Sequence, residues 1–155
     1  MAAAGFAIGA AGCGFSPAYG PQGAGTPLTG ALRADDPTNR DSFDFVAAIE
    51  ARFGVAANPQ FALSYLIAIR EEYKISNRVH VIGVLDYTLT DIATGTALAA
   101  GRVENFVAYS SVTGSTARVV SLPKTVADAR ARLVSILADQ AGLELIGAMA
   151  AIPDR

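Results

Sequence analysis

Val79-His80-Val81-Ile82-Gly83-Val84-Leu85-Asp86-Tyr87-Thr88-Leu89-Thr90, followed by Asp91-Ile92-Ala93-Thr94-Gly95, is the stretch on which the fold turns. Val79, Val81, Leu85, Tyr87 and Leu89 fall on one set of alternate positions. His80, Ile82, Val84, Asp86, Thr88 and Thr90 fall on the other. A period of two with unlike faces predicts a strand that packs on one side only. Asp91–Gly95 is a turn, and Gly95 suits the left-handed position of a three-residue hairpin loop with a bulge. Pairing Ile92 with Thr96 sets a register for the returning strand. It places Asp86 opposite Arg102, Leu85 opposite Val103, Val81 opposite Val107 and Tyr87 over Gly101. Opposite charges meet, aliphatic residues meet and a ring covers a glycine, all favourable cross-strand pairs.

Upstream, Phe61, Leu63, Tyr65, Ile67 and Ile69 alternate in the same way, as far as the charged Arg70-Glu71-Glu72. Phe45, Val46, Ile49 and Phe53 line one face of a helix that Thr38-Asn39-Arg40-Asp41 opens and Gly54 ends. Ala31-Leu32-Arg33-Ala34 is a short candidate strand, stopped by Asp35-Asp36-Pro37. Downstream, Thr125-Val126-Ala127-Asp128 resembles a capping box after Pro123, which interrupts or delays the last helix. Val126, Ala129, Leu133, Ile136, Leu137 and Gln140 carry that helix toward Ala150. The expected fold is α+β: a two-layer sandwich of two helices on a mostly antiparallel sheet of three to four strands, in the order β-α-β-β-β-α. It occupies residues 31–152 as a single domain. With both helices on one side, the face bearing Asp86, Arg102, Ile82, Val84, Leu98 and Phe106 is left open, and its mixed composition suits a non-obligate interface.

The start of the chain has a different character. Cys13 is the only cysteine and follows an uncharged run of small and apolar residues, Met1 to Gly12. Small residues directly before a cysteine, behind a short apolar stretch, suit signal-peptide cleavage. Ala10-Ala11-Gly12-Cys13 resembles a bacterial lipobox, although Ala10 is smaller than the usual aliphatic residue and no Lys or Arg precedes the run. The expectation is a signal-peptide remnant over 1–12, the given sequence beginning inside that signal, and a lipidated flexible tether over 13–30, rich in Gly and Pro. Acyl chains on Cys13 would contribute roughly 0.8 kcal/mol per buried methylene, enough in sum for a lasting membrane anchor. Twelve basic and fourteen acidic residues give a net charge of −2, which leaves no polyelectrolyte footprint for nucleic acid. A hydrophobic fraction of 52% and a mean hydropathy of +0.36 point to apolar surface beyond one small core, and so to a partner.

Chemistry is sparse. The chain has no phosphate-binding glycine loop, no Cys/His cluster and no Gly-x-Ser-x-Gly elbow. His80, the only histidine, lies in a strand as a structural or surface residue. Asp86 and Glu104 share a face, but the register gives Asp86 to Arg102 as an ordinary cross-strand ion pair. No catalytic residue, metal site or cofactor is expected.

Taken in order, Cys13-Gly14-Phe15, the tether, the short strand, Asp35-Asp36-Pro37 and the Asp41-Ser42-Phe43 helix start form the first half of a pattern. Ala62-Leu63-Ser64-Tyr65, Val84-Leu85-Asp86-Tyr87-Thr88-Leu89 and Leu137-Ala138-Asp139-Gln140 complete it. Over nearly its whole length the chain resembles the LptE family of lipopolysaccharide-assembly lipoproteins. The resemblance implies a non-catalytic lipoprotein anchored on the periplasmic side of the Gram-negative outer membrane. It implies a plug in the lumen of the LptD β-barrel, which assists barrel assembly and the passage of lipopolysaccharide to the outer leaflet. Strand alternation gathers Arg70, Lys74 and Arg78 at the sheet end away from Asp91–Gly95, beside Tyr73 and Ile75. Lys74 and Arg78 are accordingly the candidates for the phosphates of lipid A, with Glu71 and Glu72 offsetting part of the charge. The alternative is a periplasmic auxiliary lipoprotein of an ABC-type lipid transporter. Mass spectrometry of protein extracted from membranes, after expression with a complete leader, should find Cys13 as an acylated, blocked N-terminus. An unmodified thiol in that preparation would refute the anchor.

Overall fold

The computed structural model describes residues 23–74, 78–110 and 118–152. Its elements are β1 (Leu32–Ala34), α1 (Arg40–Phe53), β2 (Phe61–Lys74), β3 (Arg78–Asp91), β4 (Ala97–Ser110) and α2 (Arg118–Ala150), preceded by a 3-10 turn at Thr26–Leu28. Order and layering match the sequence expectation. The four strands lie in chain order across one sheet. β1 runs parallel to β2 because α1 carries the chain back across the sheet, whereas β2, β3 and β4 are antiparallel neighbours. Cys13 and its leader, Phe15 and Tyr19 of the tether, and Ile75 lie outside the described residues.

The central hairpin has the expected register. Asp86 faces Arg102, Leu85 faces Val103, Val81 faces Val107 and Tyr87 faces Gly101. Its turn differs in detail. Asp91, not Ile92, bonds Thr96, its N–H donating to the Thr96 carbonyl at 2.9 Å, while Gly95 at φ 68° donates back to Asp91 O at 2.8 Å. Asp91 is buried, and its Oδ1 accepts from the Thr94 N–H, which shapes the loop from within. The register steps between Leu89 and Thr90, so a bulge on β4 absorbs the difference.

Two other boundaries move. β2 continues through Arg70-Glu71-Glu72 to Lys74, and the link to β3 shrinks to residues 75–77. Backbone pairing with β3 persists there because Arg70 and Glu72 project from the open face, while Glu71, on the helix side, remains exposed at the sheet end. α2 starts at Arg118, well before Thr125, so Thr125-Val126-Ala127-Asp128 is helix interior and not a cap. Pro123 neither begins nor breaks the helix. It is the sixth residue of the helix, in the second turn.

One face of the sheet is dry. Val81, Leu85 and Leu89 of β3 share one core with Phe61 and Leu63 of β2 and with Leu133, Leu137, Ala141 and Leu145 of α2, and Val79 is buried toward the other end of the strand. Phe45, Ile49 and Phe53 of α1 close the core, and each such side chain contributes about 1.5–3 kcal/mol on full burial. Asn39 caps α1. Its Oδ1 accepts from Ser42 N–H at 2.9 Å, and Ser42 Oγ accepts from Asn39 N–H at 2.8 Å. Asp41–Arg130 and Arg52–Asp139 ion pairs tie the two helices together. Leu28 is fully buried and Ala24 packs on the core. The domain therefore begins before Ala31, inside the stretch assigned to the tether, because Leu28 fills space the later elements leave open. Among the described residues, Lys124–Ala150 is long and apolar enough to cross a membrane, with mean hydropathy 1.4, yet half of its most apolar stretch is buried in the fold. Its apolarity is that of a core helix.

Tyr87 joins the layers. Its ring lies over Gly101, where an added methyl carbon would come within 2.5 Å of the phenol oxygen, and its hydroxyl donates to Glu144 Oε2 at 2.6 Å. Burial, then the bond and the charge of Glu144, push the phenol well above its ordinary range. Tyr65, packed against Phe45, is raised as well, chiefly by burial.

Two outcomes are expected. Gly95→Val should lower the urea-unfolding free energy by more than Arg102→Ala, since a β-branched residue fits poorly at positive φ while an exposed ion pair contributes at most about 1 kcal/mol. A greater loss from Arg102→Ala would contradict the turn geometry. With the folded pKa of Tyr87 raised, its stabilisation is complete below the ordinary tyrosine value of 10.0 and is lost as pH rises through the folded value. Stability should therefore fall above pH 10 in the native protein and fall less steeply in Tyr87→Phe, measured by urea unfolding across the alkaline range.

Candidate interaction surface

With both helices on one face, the opposite face of β2, β3 and β4 has no covering layer among the described residues. Alternation decides its membership: Ser64, Leu66, Ala68 and Arg70 from β2, then Ile82, Val84, Asp86 and Thr88 from β3. β4 adds Arg102, Glu104 and Phe106. Register aligns these in rows. Arg70, Ile82 and Phe106 form one, Ala68, Val84 and Glu104 the next, and Leu66, Asp86 and Arg102 a third. Apolar side chains occupy the middle while charge is spread among them.

Leu66 is 68% exposed and Phe106 57%, high values for large apolar residues on a surface so regular. Phe106 stacks on the His80 imidazole with centroids 5.1 Å apart and planes inclined by 16°. His80 is thus part of this surface. Arg102 Nη1 lies 3.3 Å from Asp86 Oδ1, an exposed pair that orients two side chains more than it stabilises the fold.

Three of the four residues expected at the interface, Ile82, Val84 and Phe106, do share this face. Leu98 does not. The β4 bulge places it beside Ala99 and turns it to pack against the core, so the alternation that a straight strand would obey fails there. Leu66 was not anticipated. The sign was present, since Leu66 is an apolar residue out of phase with Leu63, Tyr65 and Ile67, and it gains meaning only when β3 and β4 extend the surface beside it.

Arg78 opens β3 as an exposed residue, and the register sets it opposite Lys74 at the last pair of the β2–β3 ladder. Ser110 of β4 pairs with Arg78, so this end of the sheet gathers the same segments that strand alternation predicts. Among the described residues no group of three or more His, Cys, Asp or Glu is arranged to hold a metal ion. Clefts on the helix side are lined by groups already engaged, including the Arg52–Asp139 and Asp41–Arg130 pairs. The open sheet face sets aromatic, aliphatic and charged side chains side by side at the spacing of the strands.

No family model matches the chain, and no curated protein does. Among solved structures, the chain is similar to a candidate lipoprotein from Caulobacter crescentus, at 17% identity over 83% of this chain and 97% of that one, with a TM-score of 0.66. It is also similar to a minor lipoprotein from Acinetobacter baumannii, at 13% identity over 76% and 89% of the respective chains, with a TM-score of 0.56. The chain therefore shares the α+β sandwich fold of these two bacterial proteins.

Proposed function

We propose that this protein is a non-catalytic lipoprotein held by Cys13 on the periplasmic side of the outer membrane. There it plugs and assists assembly of an LptD-type β-barrel and takes part in delivering lipopolysaccharide. The observation that carries the reading is the uncovered sheet face, where Leu66, Ile82, Val84 and Phe106 lie among Asp86, Arg102 and Glu104. A surface of mixed polarity on a rigid sheet suits a partner whose wall offers both apolar and charged groups. The fold it shares with bacterial lipoproteins supports the anchored part of the reading, as does the small-residue run before Cys13. Lipopolysaccharide contact is assigned to Lys74 and Arg78, because cations at one sheet end match phosphates in charge and hydrogen-bonding capacity.

Co-purification from detergent-extracted membranes tests the partner. A large β-barrel is expected to accompany the protein, and Leu66→Asp with Phe106→Asp should reduce its recovery while leaving the melting temperature close to native. Recovery of an inner-membrane ATPase complex instead would transfer the protein to the auxiliary-lipoprotein class. Changing Lys74 and Arg78 together to Glu should weaken binding of purified lipopolysaccharide without altering barrel recovery. Unchanged binding would remove this site from the proposal.

A further inference from the structure

β4 is an edge strand of 14 residues, paired among the described residues with β3 alone. Such an edge is a template on which another chain can continue the sheet, and the hazard grows with strand length and apolar side chains. Which amides it offers follows from the ladders. Leu63 of β2 bonds β1 through its carbonyl, so its even-numbered neighbours face β3. Antiparallel partners exchange bonds in pairs, hence the odd-numbered residues of β3 face β4. Their partners Gly101, Val103, Asn105 and Val107 face inward, and the N–H groups of Ala100, Arg102, Glu104, Phe106 and Ala108 point to the open edge, the two alanines offering only a methyl group beside theirs.

At Phe106 that edge is closed. Asn105 turns its side chain along its own strand, and Oδ1 accepts the Phe106 N–H at 2.7 Å. The amide nitrogen of Asn105 donates to Gln140 Oε1 of α2 at 3.4 Å, which holds the side chain from the helix layer. No hydrogen bond among the described residues covers the outward N–H of Arg102 or Glu104. Those positions carry charged side chains, a separate protection against pairing. Phe106 carries none and is the most exposed large apolar residue on the strand. The covered amide is the one whose own side chain would favour association.

We propose that Asn105, positioned by Gln140, caps the β4 edge at its apolar point and keeps a second copy of this chain from pairing with it. The device is independent of the membrane and barrel assignments above, since it depends only on the ladder and two side-chain bonds. A continuing strand would need the Phe106 N–H as a donor, and the intramolecular acceptor already occupies it. Losing Asn105 would free that donor beside an exposed aromatic ring.

Amide hydrogen exchange on the native protein is the direct test. Phe106 should exchange about tenfold or more slowly than Glu104, its outward neighbour without an acceptor. Equal exchange at both, whether both are fast or both are protected by an existing strand partner, would overturn the proposal. Asn105→Thr keeps a strand-forming residue and removes the acceptor. It should self-associate in sedimentation velocity at about a tenfold lower concentration than the native protein. An Asn105→Thr protein with native helix content and unchanged association would overturn it too. If that variant fails to fold, the exchange comparison in the native protein still decides the matter.

Discussion

The structure depends on one constraint, that β3 is paired along both edges while only one of its faces can be dry. Val79, Val81, Leu85 and Leu89 must be covered, and the intervening His80, Ile82, Val84 and Asp86 cannot be covered by the same layer. α2 supplies the cover. It packs closely over Gly83, where a methyl carbon would come within 2.9 Å of Leu137 and 3.0 Å of Leu133. The glycine in the middle of β3 thus marks a place where the helix sits down. Tyr87 and Gly101 form a second such fit, with Glu144 accepting the phenol proton at the rim.

The smaller elements complete that arrangement. α1 lies beside α2 and inserts Phe45, Ile49 and Phe53 where α2 alone would leave the β2 side of the core uncovered. β1 is only three residues long, but its parallel pairing requires the crossover that places α1 on the helix side. The 3-10 turn before it adds Leu28, so residues with the composition of a linker become part of the core. Composition was misleading here because one buried leucine outweighs several flanking glycines and prolines when it completes a packed interior.

Among the described residues, what remains outside is a sheet with one uncovered face and one long edge. The two have different chemistry. The face mixes aromatic, aliphatic and charged groups at fixed spacing, a surface able to recognise a shaped partner. The edge is guarded by charge and by the Asn105 side chain, features that oppose indiscriminate pairing. A protein that exposes aromatic and aliphatic groups on a regular sheet face benefits from such a guard, because the two hazards would otherwise act together at Phe106.

By itself the sequence determined the element order, the central register and the part of the open face that β3 supplies. Strand alternation from Val79 to Leu89 and the complementary pairs Asp86–Arg102 and Leu85–Val103 are short-range patterns, readable wherever one face is buried. The helix at Phe45–Phe53 was legible for the same reason, with its cap and its terminal glycine both written in adjacent residues. Tertiary structure alone decided the inward turn of Leu98, the burial of Leu28, the continuation of β2 past Arg70 and the early start of α2. The burial of Leu28 and the pairing of β2 beyond Arg70 depend on contacts between residues far apart in the chain, and the turn of Leu98 depends on a bulge that shifts alternation by one. Local propensity does not encode either. The candidate site divided along the same line: Ile82, Val84 and Phe106 follow from the period of their strands, whereas Leu66 joins them only through the neighbouring strand, because a surface is a property of adjacent strands and not of one.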